Sequence, residues 1–265
     1  MASLRHHVTT APLQLSRDQI LAYRRRVSAL EERLPLNDES LRTAAWAGLQ
    51  DSMPRAALLS IHARVADATD DVWEHPALVQ VWGPRYSAYV VPAVDRAVFT
   101  LGRYPEDAAG RARADSAAQR LRAHIGDQRM GHHDVGEAMK INPNSLRYGA
   151  TTGEIVIRWA GALQPHIWML PRPELDPRDA RNELCRRYLH IFGPATAASF
   201  AEWAGISNRA GQSAFNDLAG ELTPAVTPIG DGWILSSDEQ QMRTKPDGSA
   251  PTRFLPSGDT YFLLW

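Results

Sequence analysis

At 265 residues, with 44% hydrophobic and 22% charged side chains, the chain has the composition of a soluble globular protein of one large domain or two to three small ones. A net charge of −1 excludes nucleic-acid binding by bulk charge alone, and a single cysteine excludes internal disulfides and a cysteine metal cage. No apolar run approaches the ~20 residues that span a bilayer, and residues 1–16 hold no apolar signal core, so a cytoplasmic protein without a membrane partner is expected.

The predicted elements recur three times as helices followed by a β-hairpin. In the first unit, Ser16 and Gln19 form a capping box ahead of a helix carrying Ile20, Tyr23, Val27 and Leu30. Arg24-Arg25-Arg26 on that helix reads as a solvated face. Pro35 ends it, and Asn37 or Asp38 caps a second helix through Trp46, stopped at Gly48. A third helix opens at Ser52, with Ser52 as its cap and Pro54 in its first turn. Residues 78–92 then read as a hairpin turning at Gly83-Pro84, and residues 95–100 as a closing helix.

The second unit follows Tyr104-Pro105. A helix over 108–125 precedes short helices over 135–140 and 143–148, then a hairpin over 155–171 with Trp159 and Trp168 on its arms. Prolines at 171 and 173 mark a boundary. The third unit has a long helix over 179–192, a helical pair over 196–204 and 211–219, and a hairpin over 225–236 turning at Gly230-Asp231-Gly232. Residues 240–251 read as a linker and 253–265 as a strand whose apolar end, 261–265, should be buried. Most tryptophans sit at amphipathic positions and read as core.

Three helices followed by a hairpin is the layout of a winged helix, a variant of the helix-turn-helix that docks on DNA. The expected fold class is therefore α+β. It comprises tandem winged-helix units over 15–104, 105–173 and 174–240, then a linker and β stub over 241–265. Basic against acidic residues number 12 and 12 over 1–106, 9 and 8 over 107–176, and 8 and 10 over 177–265. DNA affinity thus requires a local stripe, for which Arg55, Arg85 and Arg147 are the candidates. Arginine suits it by making forked contacts with phosphate and guanine. His132-His133-Asp134 lacks further ligands at useful spacing, and no phosphate-binding glycine loop occurs, so no metal or cofactor is implied.

Leu49-Gln50 before a helix ending at Arg64, the stretch from Trp82 to Asp95, and Arg187-Tyr188-Leu189 with Gly193-Pro194 and Trp203 carry a resemblance. Over roughly residues 15–265 the chain resembles the winged-helix proteins that include the AlkZ-like DNA glycosylases, enzymes that unhook alkylated or crosslinked purines. Residues 255–259 resemble the start of that family's C-terminal β-rich domain, mostly absent from this sequence. The family's glycosylase motif is Gln-x-Gln or Gln-x-Asp; here Gln50 matches and Ser52 stands at the second position. Its first wing reads Arg-x-Thr-x-His followed by Asp; here Arg85 and Asp95 match, Ser87 keeps a hydroxyl, and Tyr89 replaces the histidine.

The resemblance implies catalytic candidates Gln50 and Ser52, beside which Asp51 is the adjacent carboxylate, and DNA-facing candidates Arg85, Ser87 and Tyr89, to which the need for a local positive stripe adds Arg55 and Arg147. From spacing alone the same residues read as a polar turn, helix caps and a solvated wing arginine. A double-stranded DNA binder with half of the catalytic pair is the expected function. An active N-glycosylase for N7-alkylated purines and a non-catalytic scaffold are the alternatives.

Overall fold

A computed structural model describes residues 12–53, 55–159, 164–245 and 251–262. The chain is mixed α+β. Its first part runs β1 (Leu13–Gln14), α1 (Arg17–Val27), α2 (Asp38–Ala44), β2 (Leu49–Gln50), α3 (Ala56–Arg64), β3 (Leu78–Trp82), β4 (Ala88–Pro92) and α4 (Arg96–Leu101). The middle part is α5 (Ala108–Ile125), β5 (Met130–Gly131), α6 (His132–Ala138), a 3-10 stretch (Pro143–Thr152), β6 (Ile155–Arg158) and β7 (His166–Met169). The last part is α7 (Pro177–Phe192), α8 (Ala197–Ala204), α9 (Asn208–Asp217), β8 (Leu222–Thr227), β9 (Gly230–Leu235) and α10 (Glu239–Arg243).

Local chemistry sets most helix starts. The Ser16–Gln19 capping box opens α1, Asn37 accepts from Ser40 N–H ahead of α2, and Asp107 and Ser207 cap α5 and α9. Helix α3 differs from expectation. Its N-cap is Arg55 at φ +67, and the carboxylate that reaches its first turn belongs to Asp51, which accepts from Ala57 N–H at 3.0 Å; Ser52 is exposed. Pro54 lies outside the described residues.

The hairpins form, and the second packs as expected on α5, α6 and the 143–152 stretch through Ile155, Ile157, Ile167 and Met169, but the first is shared with other helices and the third places Ala225 and Ile234 against Leu13, Leu15 and Tyr23. The first two join in one six-stranded sheet of order β2-β4-β3-β6-β7-β5, linked where Gln80 pairs with Ile157. The third pairs with β1 in a separate three-stranded sheet. Alternation along β4 shows how the large sheet is shared. Tyr89 and Val91 enter the core built by α7, α8 and α9, with Leu184, Tyr188, Phe200 and Trp203. Ala88 packs with the second unit's Leu121, Ile155 and Ile157, and Val90 with Leu41 and Ile61 of the first unit's helices. Both faces of the sheet are buried by helices distant in sequence, α5 on one side and α7 to α9 on another.

Several further expectations change. The first hairpin turns through 83–87, and the third reverses at 228–229, so Gly230 begins β9. The arginine run on α1 ties elements together: Arg24, Arg25 and Arg26 donate to the carbonyls of Phe192, Pro251 and Gln241, two of them at or near helix C-termini that attract cations. Trp82 and Trp203 are core, whereas Trp233 is 41% exposed. Residues 251–262 form coil and turns in place of the expected strand. Asp259 explains why: it makes a forked pair with Arg64, both Nη–O distances 2.8 Å, in a fully buried setting completed by Ser60. An ion pair pins this segment where a ladder was expected. Phe262 is 48% exposed, and residues 263–265 lie outside the described residues.

Candidate functional site

Strand geometry sorts residues 50–52 into two groups. Strand β2 is an edge strand, with Gln50 opposite Tyr89 and Leu49 opposite Val90. Side chains alternate along it, so Gln50 and Ser52 face one way and Asp51 the other. Gln50 Nε2 donates to Ser52 Oγ at 2.8 Å. Gln50 Oε1 accepts from Arg85 Nη2 and from the Tyr89 hydroxyl, each at 3.3 Å. The structure thus brings together Gln50, Ser52, Arg85 and Tyr89.

Asp51 serves a different purpose. It is 2% exposed and accepts from Ala57 N–H and, at 2.5 Å, from Gln80 Nε2. Gln80 in turn accepts from Trp159 N–H at 2.6 Å. Burial pushes the Asp51 carboxyl up to about 6, against the lowering effect of the Ala57 and Ala56 amides and of Gln80. Its chain of hydrogen bonds joins β2, α3, β3 and the end of β6, and holds the strand that presents Gln50. Gln80 was legible as the one polar side chain in the apolar run LVQVW.

Arg85 is exposed at the β3–β4 turn, where Arg85 (φ +54) and Tyr86 (φ +58) are consecutive left-handed residues. Non-glycine residues rarely adopt that conformation, and their surroundings must over-determine it. Here the surroundings are the Gly83–Ser87 backbone bonds and Gly205 of the α8–α9 turn, itself at φ +69. A Cβ on Gly205 would stand 3.0 Å from the Arg85 nitrogen, so only glycine allows this approach. Ser87 is half-buried beside the turn. Arg147 donates to Tyr86 O at 3.5 Å and lies over Trp82, and burial lowers its guanidinium pKa; it supports the turn from behind. Arg55 sits exposed ahead of α3.

Tyr89 is fully buried apart from its approach to Gln50. Its ring is clamped between Gly48 and Gly83, where added Cβ atoms would stand 3.0 and 3.1 Å from it. Burial pushes its hydroxyl up to about 12, despite lowering by Arg85 and Arg103, so it stays protonated and donates to Gln50. Asp95 is a buried clamp: it accepts a fork from Arg42 and pairs with Arg187 Nη1 at 3.1 Å. His132 is buried beside Trp82 with Nε2 2.8 Å from Pro143 O, and burial lowers its pKa to about 4.

A model of the family described as DNA glycosylase AlkZ-like matches residues 43–265. The chain belongs to the AlkZ-like DNA glycosylase family. The matched span takes in Gln50, Ser52, the Arg85 turn and all of the α7–α9 group. Among solved structures the chain is similar to DNA glycosylase AlkZ of Streptomyces sahachiroi, with a TM-score of 0.71 and 15% identity over 88% of this chain and 73% of that one. At that identity the similarity is one of fold. No match was found among curated protein sequences. The AlkZ-like membership supports a glycosylase-like role in DNA repair, and no described helix is long and apolar enough to cross a membrane.

Proposed function

We propose that this AlkZ-like chain binds double-stranded DNA across its winged units, 15–104, 105–173 and 174–240, and excises alkylated purines slowly or not at all. One observation carries the reading: the Gln50 amide oxygen is already held by Arg85 and Tyr89, while the adjacent carboxylate, Asp51, is buried on the opposite face of the strand.

Hydrolysis of an N-glycosidic bond to an N7-alkylpurine starts from a cationic base that leaves readily. The enzyme must place a water and support an oxocarbenium-like sugar. A carboxylate beside the attacked carbon does both. Gln50 keeps one amide hydrogen for a water, and Ser52 keeps a hydroxyl proton, but neither accepts a proton from water near neutral pH. Losing a positioned acid–base group typically costs ~10²–10⁴-fold in rate. Binding needs less. Arg85 is exposed at a turn tip for a phosphate or minor-groove contact, with Arg55 and Ser87 as further polar contacts and Tyr89 holding Gln50 in place.

An active N-glycosylase is the second reading, favoured by Gln50 at the first motif position and by the family itself. A labelled duplex carrying N7-methylguanine, read by anisotropy and by strand cleavage at abasic sites, separates the two. The expected result is binding that weakens steeply with salt and abasic sites at background level. Robust excision abolished by Gln50→Ala establishes the second reading, and absence of binding at low salt leaves a scaffold.

A further inference from the structure

Beside the Gln50 group lies a cleft of 420 Å³ between the β3–β4 turn and the α8–α9 turn. Its walls include Tyr86, Arg103, Arg181, Gly205, Ser207 and Arg209. Its two acidic lining residues already have partners. Glu106 pairs with Arg181 at 2.6 Å, and Asp107 caps α5 through Gly110 N–H at 2.7 Å. Arg181 is further occupied by the carbonyls of Gly102 and Tyr104.

Arg103 is different. It is 3% exposed, with Nε on Ala204 O at 2.7 Å and Nη1 on Trp82 O at 3.1 Å. Its Nη2 is buried and has no hydrogen-bond partner among the described residues. That nitrogen lies beside Gly205 on the cleft wall, 3.8 Å from where a Cβ on Gly205 would stand. Buried donors are nearly always satisfied, so an orphaned guanidinium nitrogen marks a missing acceptor. The half-buried Tyr86 ring covers the guanidinium, 4.6 Å from its centroid.

The same cleft is lined by the start of α9, ten residues long. Ser207 satisfies Ala210 N–H, which leaves the N–H groups of Asn208 and Arg209 without an intrahelical acceptor by position. The exposed Arg209 side chain adds a second cation. A buried unpaired donor, a helix N-terminus and a free arginine converging on one cleft are the elements of a phosphate site.

We propose that this cleft seats one backbone phosphate of bound DNA between Arg103 Nη2, Arg209 and the first N–H groups of α9. The phosphate displaces the Tyr86 ring from Arg103. Because Gly205 packs directly on the Arg85 backbone, a phosphate held there fixes the strand next to the turn that presents Arg85 to Gln50. The proposal rests on the DNA-binding reading given above.

The test is anisotropy titration of an unmodified duplex over a range of salt, with wild type, Arg209→Ala and, as a control, Arg243→Ala on α10. Arg209 is exposed, so its variants keep the fold. Arg209→Ala should lower the slope of log K against log salt by about 1, the loss of one phosphate contact, and Arg243→Ala should leave it unchanged. A scan of single neutral methylphosphonates along the duplex should reveal one position that weakens wild type but not Arg209→Ala. Arg103→Lys, if its melting temperature is preserved, should lose the same position. A slope for Arg209→Ala equal to wild type overturns the cleft and leaves DNA binding standing. Absence of salt-dependent binding by wild type overturns both.

Discussion

Replacing Asp51 by Asn isolates the hydrogen-bond chain that holds the Gln50 strand. Asn keeps an oxygen for Ala57 N–H but turns an amino group toward Gln80 Nε2, and Gln80 cannot flip without releasing Trp159 N–H. One unsatisfied buried donor costs about 1–3 kcal/mol. The pH dependence is more diagnostic. Burial raises the native carboxyl to about 6 from an ordinary 3.8, so in that window the folded chain binds more protons than the unfolded one. The stability the group contributes is full below the unfolded value and falls as pH rises through about 6. Between pH 5 and pH 8 the linkage integral gives a loss of about 1.4 kcal/mol. Urea unfolding followed by tryptophan fluorescence at both pH values should show wild type losing that much relative to Asp51→Asn. A difference between the two proteins that stays constant, or grows in favour of wild type as pH rises, refutes the account of Asp51 as a buried structural acid.

Asp259→Asn should destabilise the chain by about 3–5 kcal/mol in the same assay, because it leaves Arg64 buried without its counter-charge. Residues 251–262 should then become sensitive to protease, and an unchanged midpoint would count against the pin. Burial pushes the Asp259 carboxyl up, but Arg64, Ser60 and the Tyr261 N–H more than offset this and hold it below the usual range, so its contribution is lost on acidification, opposite in sign to Asp51. Ser52→Asp places a carboxylate on the Gln50 face and should raise excision of N7-methylguanine by about 10²-fold, the lower end of the ~10²–10⁴ that such a group supplies. Unaltered background cleavage would show that the rest of the site is lost. Gly205→Ala should cost about 1–3 kcal/mol, from its left-handed backbone and its clash with Arg85, and should weaken DNA binding with it; wild-type affinity and midpoint would refute the role given to that contact.

The helices were legible because their signals are local. The span 108–125 was readable to the residue, since Asp107 caps it and Gly126 ends it. The same local rules misplaced the α3 cap. Three polar residues in a row compete for one job there, and the choice of Asp51 depends on Gln80, which lies 29 positions away. The arginines of α1 read as solvated because their acceptors, at 192, 241 and 251, come from the far end of the chain.

Family membership, the α+β class, the three hairpins and the departures at Ser52 and Tyr89 were determined by the sequence itself, since they follow from residue identity, local periodicity and turn chemistry. The tertiary structure alone decided that the first two hairpins share one sheet, that Asp51 faces away from Gln50, and that Asp259 folds back onto Arg64. It alone placed Gly205 against the Arg85 turn and left Arg103 Nη2 without a partner among the described residues. Each of these depends on contacts between distant segments. The register of a β-bridge and the packing of a buried charge are set by which surfaces meet, and short-range patterns carry no record of that.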